Sequence, residues 1–169
     1  MNNRIKAYCT VPQPYPNCEI REQNLAYARL LSVPYAGQGG ELTAILQYLY
    51  GHLVCKNRKP AVLSDIFSYI AEVEMRHLEI LGNMIRDLGG APKYQSDRRS
   101  PFCAVGIEYD TNPDSLLAAA QKGERSAIMT YRKIAGQIQD ECIRKTLERI
   151  IMDEEHHEKI FKELMSDMT

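Results

Sequence analysis

The chain has 169 residues, enough for one domain with its own core and a short arm. Hydrophobic residues make up 44% and charged residues 25%, which excludes a disordered or fibrous chain. The net charge of -1 gives no electrostatic ground for a nucleic acid or an anionic membrane as partner. No apolar run approaches the ~20 residues of a membrane span. Met1 to Tyr8 carry Arg4 and Lys6 with no apolar stretch behind them, so no secretory signal is read and the cytoplasm is the expected compartment.

Residues 1–33 read as an arm. Pro12, Pro14 and Pro16 impose extended backbone there, and a short helix is expected over Leu25 to Leu31. The run Ala36-Gly37-Gln38-Gly39-Gly40 has no Lys-Ser or Lys-Thr after it, so it reads as a flexible turn into a helix and not as a phosphate loop. Four helices follow, making a bundle over residues 34–169. The first is expected over about 40–57. The second opens at Pro60 and stops at Gly89-Gly90. The third opens at Asn112-Pro113 and ends near Gln139, and Asp140 caps a fourth that runs to about residue 166.

Short links join the first helix to the second and the third to the fourth, so each pair is an antiparallel hairpin. Gly89 to Asn112 is long for a structureless loop. It fits an all-α four-helix bundle in which one long crossover runs the length of the bundle. The five cysteines, Cys9, Cys18, Cys55, Cys103 and Cys142, are odd in number and form no C-x-x-C. That argues against a disulfide framework and a thiolate metal site, and leaves buried or idle thiols. The methionines read as core filler.

Two of the four histidines follow a glutamate by three residues, in Glu74-x-x-His77 and Glu154-x-x-His157. That spacing puts both side chains on one helix face. The face is the apolar one: Ile70, Glu74, His77 and Leu81 share a stripe, as do Ile150, Glu154, His157 and Phe161. Glu72, Glu79, Glu155 and His156 fall on the solvated side. The other two helices each carry one in-phase carboxylate, Glu41 and Glu124, and each has a tyrosine seven residues on, Tyr48 and Tyr131. His52 reads as a satisfied core or rim histidine.

Four buried carboxylates are untenable without compensation. Two divalent cations supply +4 against them. Oxygen and nitrogen donors without thiolate suit iron or manganese alike. The expected ligands are Glu41, Glu74, His77, Glu124, Glu154 and His157. Tyr48 and Tyr131 read either as donors of hydrogen bonds to ligand carboxylates or as core tyrosines held by packing alone.

At these residues the chain resembles the ferritin-like superfamily. Tyr35-Ala-Gly-Gln-Gly-Gly-Glu41-Leu-Thr-Ala-Ile-Leu-Gln-Tyr48 and Glu74-Met-Arg-His77 are similar to the manganese catalases and the related spore-coat proteins. Lys122-Gly-Glu124-Arg-Ser-Ala and Asp153-Glu154-Glu-His-His157 are similar to rubrerythrin-type proteins, although Ala127 stands where those usually carry a second glutamate. The resemblance implies a ferritin-like bundle with an N-terminal arm, and two manganese or iron ions per chain. It also implies disproportionation of hydrogen peroxide, with Glu154 and Tyr48 as candidate catalytic residues and Glu154 either a metal ligand or a proton shuttle. The alternative it implies is a rubrerythrin-like di-iron peroxidase or ferroxidase fed by an electron-donor protein. A non-enzymatic iron-storage or coat protein is a further alternative. A homo-oligomer is expected, with the arm and the turn before Glu41 at its contacts.

Overall fold

The computed structural model describes residues 2–95 and 102–168. Six α-helices are present among them: α1 (Asn2–Tyr8), α2 (Leu25–Ala36), α3 (Glu41–Cys55), α4 (Val62–Asp87), α5 (Pro113–Ala135) and α6 (Glu141–Met168). Helices α3 and α4 pack as one hairpin and α5 and α6 as another, with α3 against α5 and α4 against α6 closing the bundle. α2 lies along α4, where the Tyr35 ring fills the space left by Gly82. No helix is long and apolar enough to cross a membrane among the described residues.

The apolar stripes of the four long helices meet in two clusters. One holds Leu81, Ile85, Tyr131, Ile134, Leu147 and Ile150. The other holds Tyr48, Phe67, Ile70, Leu117 and Phe161. Along α4 and α6 the chain passes from one cluster to the other, and the buried positions between them are Glu74 and His77 on α4 and Asp153, Glu154 and His157 on α6. The core is therefore two apolar halves separated by one buried polar layer.

The long connection behaves as the topology requires. After residues 96–101, which lie outside the described residues, it runs along α3. Gln47 grips the backbone of Glu108 from both sides, donating to its carbonyl at 3.1 Å and accepting from its amide at 2.6 Å. Tyr50 donates to the carbonyl of Tyr109 and Arg58 to that of Thr111.

Several local expectations are corrected. The turn before α3 is tight, not flexible. A side chain on Gly40 would meet the Pro34 carbonyl oxygen at 2.3 Å, and Gly39 has φ +76°. Gly40 thereby caps α3 and makes Glu41 its first residue. α2 continues through Pro34 to Ala36 because Pro34, Tyr35 and Ala36 are all buried, and that burial outweighs the lost helix hydrogen bond. Pro60 lies in the turn ahead of α4, after a cis peptide bond. α5 stops at Ala135, before Gly136, four residues short of Gln139. Asp140 does cap α6, accepting from the Ile143 amide at 2.9 Å. Met84 is buried, but Met75 and Met129 are exposed and fill no core.

The arm departs most from expectation. It begins with a helix, α1, tied to α4 by a Lys6–Glu72 ion pair of 2.6 Å. It is also crosslinked: Cys18 and Cys142 form a disulfide across a sequence separation of 124. The count of five cysteines hid this pair, because the partners meet only where the arm crosses the start of α6. Cys9 and Cys55 are buried free thiols and Cys103 is an exposed one.

Candidate metal centre

The polar layer gathers all six residues that the sequence pattern singles out. Glu41 comes from the first turn of α3, Glu74 and His77 from mid-α4, Glu124 from mid-α5, and Glu154 and His157 from mid-α6. All six are buried. They form two overlapping groups, Glu41, Glu74, His77 and Glu154, and Glu74, Glu124, Glu154 and His157. Within each group one ligand atom per residue lies within 4.8 Å of the others.

Each half has its own imidazole, and two carboxylates are common to both. Nδ1 of His77 is 2.8 Å from Glu74, 3.3 Å from Glu154 and 3.8 Å from Glu41. Nδ1 of His157 is 2.9 Å from Glu74, 3.5 Å from Glu154 and 3.7 Å from Glu124. Glu74 and Glu154 thus lie between the halves, while Glu41 and Glu124 each serve one. Buried Glu74 Oε1, Glu154 Oε2 and His157 Nδ1 have no aligned hydrogen-bond partner. Donor atoms crowded around a common centre without hydrogen-bond alignment fit a pair of cations.

The electrostatics agree. Burial pushes the carboxyls of Glu41 and Glu124 well up, and the charges of Glu154 and Glu74 push them further. Burial alone would also raise Glu74, but the imidazoles of His77 and His157 on either side hold it well below the usual carboxylate range. Burial alone would lower both histidines. The carboxylates outweigh it, Glu154 and Glu74 raising His77, and Glu74 and Glu154 raising His157. A proton on either imidazole would supply part of the positive charge that the carboxylates need, and a cation binding at the same Nδ1 atom would displace it.

The tyrosines at matching positions complete the layer crosswise. Tyr48 of α3 donates to Glu124 of α5 at 2.5 Å, and Tyr131 of α5 donates to Glu41 of α3. Burial raises both phenols well above their usual range, so each remains a donor. His52 is half-buried at the far end of α3, satisfied by Ser64. A cavity of about 420 Å³ opens between α3 and α5 under the crossover, and Glu41, Tyr48, Glu74, Glu124, Tyr131 and Glu154 line it. Neither imidazole lines it, and both are fully buried.

A family model for the ferritin-like domain matches residues 38–169. The chain belongs to the ferritin-like family. It is 26% identical over 171 residues to a probable manganese catalase of Clostridium acetobutylicum, covering 88% of this chain and 74% of that protein. It is 28% identical over 131 residues to a bacterioferritin of Desulfovibrio desulfuricans, covering 77% of this chain and 70% of that one. The crystal structure of KatB, a manganese catalase from Anabaena, has the same fold, with a TM-score of 0.84 and 23% identity over 94% of this chain and 80% of that chain.

The ferritin-like layer of this chain has a backing that the sequence pattern did not single out. Nε2 of His77 is 3.1 Å from Asp153, and Nε2 of His157 is 3.2 Å from the carbonyl of Cys9. Asp153 is fully buried, and its ion pair with Arg149 spans 2.7 Å. Burial would raise Asp153, but hydrogen bonds from His77 and Tyr15 hold it at about 2. A partner on Nε2 fixes each ring with Nδ1 turned to the centre. Arg149 and Asp153 were visible only as an i,i+4 pair, a spacing equally common on solvated faces.

Proposed function

We propose that this chain is a dimetal oxidoreductase that consumes hydrogen peroxide by disproportionation, two peroxides giving dioxygen and two waters. The observation that carries the reading is the pair of buried carboxylate–histidine clusters sharing Glu74 and Glu154 at the floor of a cavity. The identity with a probable manganese catalase supports it. Glu41, Glu74, His77 and Glu154 would hold one ion, and Glu74, Glu124, Glu154 and His157 the other. Bound manganese or iron supplies the two-electron redox capacity that carboxylates and imidazoles lack.

The chain's own residues would do the rest. The cavity admits peroxide from the α3–α5 side, where Glu41 and Glu124 face it with their hydrogen bonds to Tyr131 and Tyr48 already made. Those phenols keep each carboxylate in one orientation through the cycle. Glu154 either completes the ligand set or, left off the ions, would take a proton from peroxide and return it to the departing water. The two apolar halves exclude bulk water from the layer. Copies of the chain would assemble as a homo-oligomer.

The same oxygen–nitrogen donor set suits iron, and the bacterioferritin relative favours a second reading, a di-iron peroxidase or ferroxidase supplied with electrons by another protein. Protein purified without chelator separates them. Two manganese ions per chain, and dioxygen released from peroxide with no reductant added, support the first reading. Two iron ions, and peroxide loss that requires an electron donor, replace it with the second. Absence of metal after anaerobic loading with either ion overturns both.

A further inference from the structure

The arm reaches the polar layer from the side opposite the cavity, and its contacts there are few and specific. Tyr15 donates to Asp153 at 2.6 Å, and the Val11 amide donates to the other oxygen of the same carboxylate at 3.3 Å. The Tyr15 ring lies between two residues of the layer's backing. The Arg149 guanidinium sits 4.4 Å from the ring centroid, and the His77 ring meets it edge-on at 6.3 Å. Arg149 in turn donates to the carbonyls of Gln13 at 2.6 Å and Val11 at 2.9 Å. The Cys9 carbonyl backs His157. Both imidazoles therefore owe their orientation to residues 9–15, directly for His157 and through Asp153 for His77.

This segment is pinned at both ends. Before it, α1 is tied to α4 and α6 by Lys6–Glu72 and by Tyr8 donating to Glu163. After it, the Cys18–Cys142 disulfide joins the arm to the first turn of α6, the helix that carries Arg149, Asp153 and His157. The crosslink holds the arm to the helix it has to stay in register with.

We propose that the disulfide-clamped arm is a working part of the metal centre. Tyr15 and Asp153 are positioning residues for His77, and the Cys18–Cys142 crosslink keeps them in place. This rests on the dimetal reading above. The arm acts on metal retention and not on substrate access, because it closes the side away from the cavity.

The test is a titration of metal-free full-length protein with Mn²⁺ against a chromogenic chelator, with circular dichroism as the check on helix content. Wild-type protein is expected to take two ions per chain. Tyr15→Phe removes one hydroxyl and leaves the ring. It is expected to weaken one ion about 10-fold and leave the other within about twofold, the scale of losing an outer partner of a ligand. Cys18→Ser is expected to weaken the same ion by a similar factor. The double variant should fall short of the product, since both changes act through one contact. Wild-type protein with two ions, and both single variants within about twofold of it at each ion, would overturn the arm's role and leave the dimetal reading standing. Equal weakening of both ions with loss of helix would also overturn it, as general scaffolding. A wild-type chain that takes no ion overturns both.

Discussion

The arrangement of carboxylates makes an unequal prediction for two chemically identical substitutions, Glu41→Gln and Glu74→Gln. Glu74 stands 2.8 Å from Nδ1 of His77 and 2.9 Å from Nδ1 of His157, so it belongs to both groups. Glu41 belongs only to the His77 group. With the two divalent ions of the proposed centre bound, four carboxylates would balance them, and either substitution would leave one positive charge uncompensated in a buried layer. Breaking a buried charge pair costs about 3–5 kcal/mol. Glutamine keeps one neutral oxygen donor, so the lower end of about 3 kcal/mol applies, roughly 100-fold in affinity. For Glu41→Gln that loss falls on one ion, and chelator competition should become biphasic, with the second ion bound as in the wild type. For Glu74→Gln the same cost is shared by the two ions, so both should weaken about 10-fold and leave together on dialysis. Superimposable curves for the two variants would refute the assignment of Glu74 as shared and Glu41 as unshared. A Glu41→Gln curve identical to wild type would refute the charge argument itself.

Tyr48→Phe removes the donor to buried Glu124 and should weaken the ion of the His157 group by about 1.5–3 kcal/mol, or ~10- to 100-fold in the same titration. Thiol counting with a maleimide at neutral pH should find one reactive group in the native chain, three after denaturation and five after denaturation with reductant. Cys9 stays silent in the native state because burial pushes its thiol up to about 11. Gly51→Val should lower stability in urea unfolding by about 1–3 kcal/mol, since even a Cβ there meets the Phe67 ring at 3.0 Å.

The six-residue layer was legible because helix periodicity is a strong constraint. A charged residue on an apolar stripe has nowhere to go except the core, and Glu74, His77, Glu154 and His157 are each in phase with isoleucines and leucines one turn away. The topology was legible from link lengths, since a connection as long as Gly89–Asn112 has to travel somewhere and the exposed length of α3 is what it covers. Helix ends were read less well. Pro34 and Pro60 carry the same local signal, yet Pro34 sits inside a helix because its neighbours are buried and Pro60 lies outside one. The Cys18–Cys142 bridge and the Tyr15–Asp153 contact had no periodic signature at all, because they join residues 124 and 138 positions apart.

Those unread contacts have a cause that the sequence does state. Within an α-helix the main-chain amides and carbonyls are consumed by the helix itself, so a bundle of helices has few backbone partners to offer an imidazole that faces outward. A segment that cannot form a helix keeps its backbone groups free. Pro12, Pro14 and Pro16 enforce that condition on the arm. The groups left free are then used: the Cys9 carbonyl by His157, the Val11 amide by Asp153, and the Val11 and Gln13 carbonyls by Arg149. Read alone, the prolines mark a stretch without structure of its own. Set against α6, they explain why this stretch, and not another helix, closes the back of the polar layer.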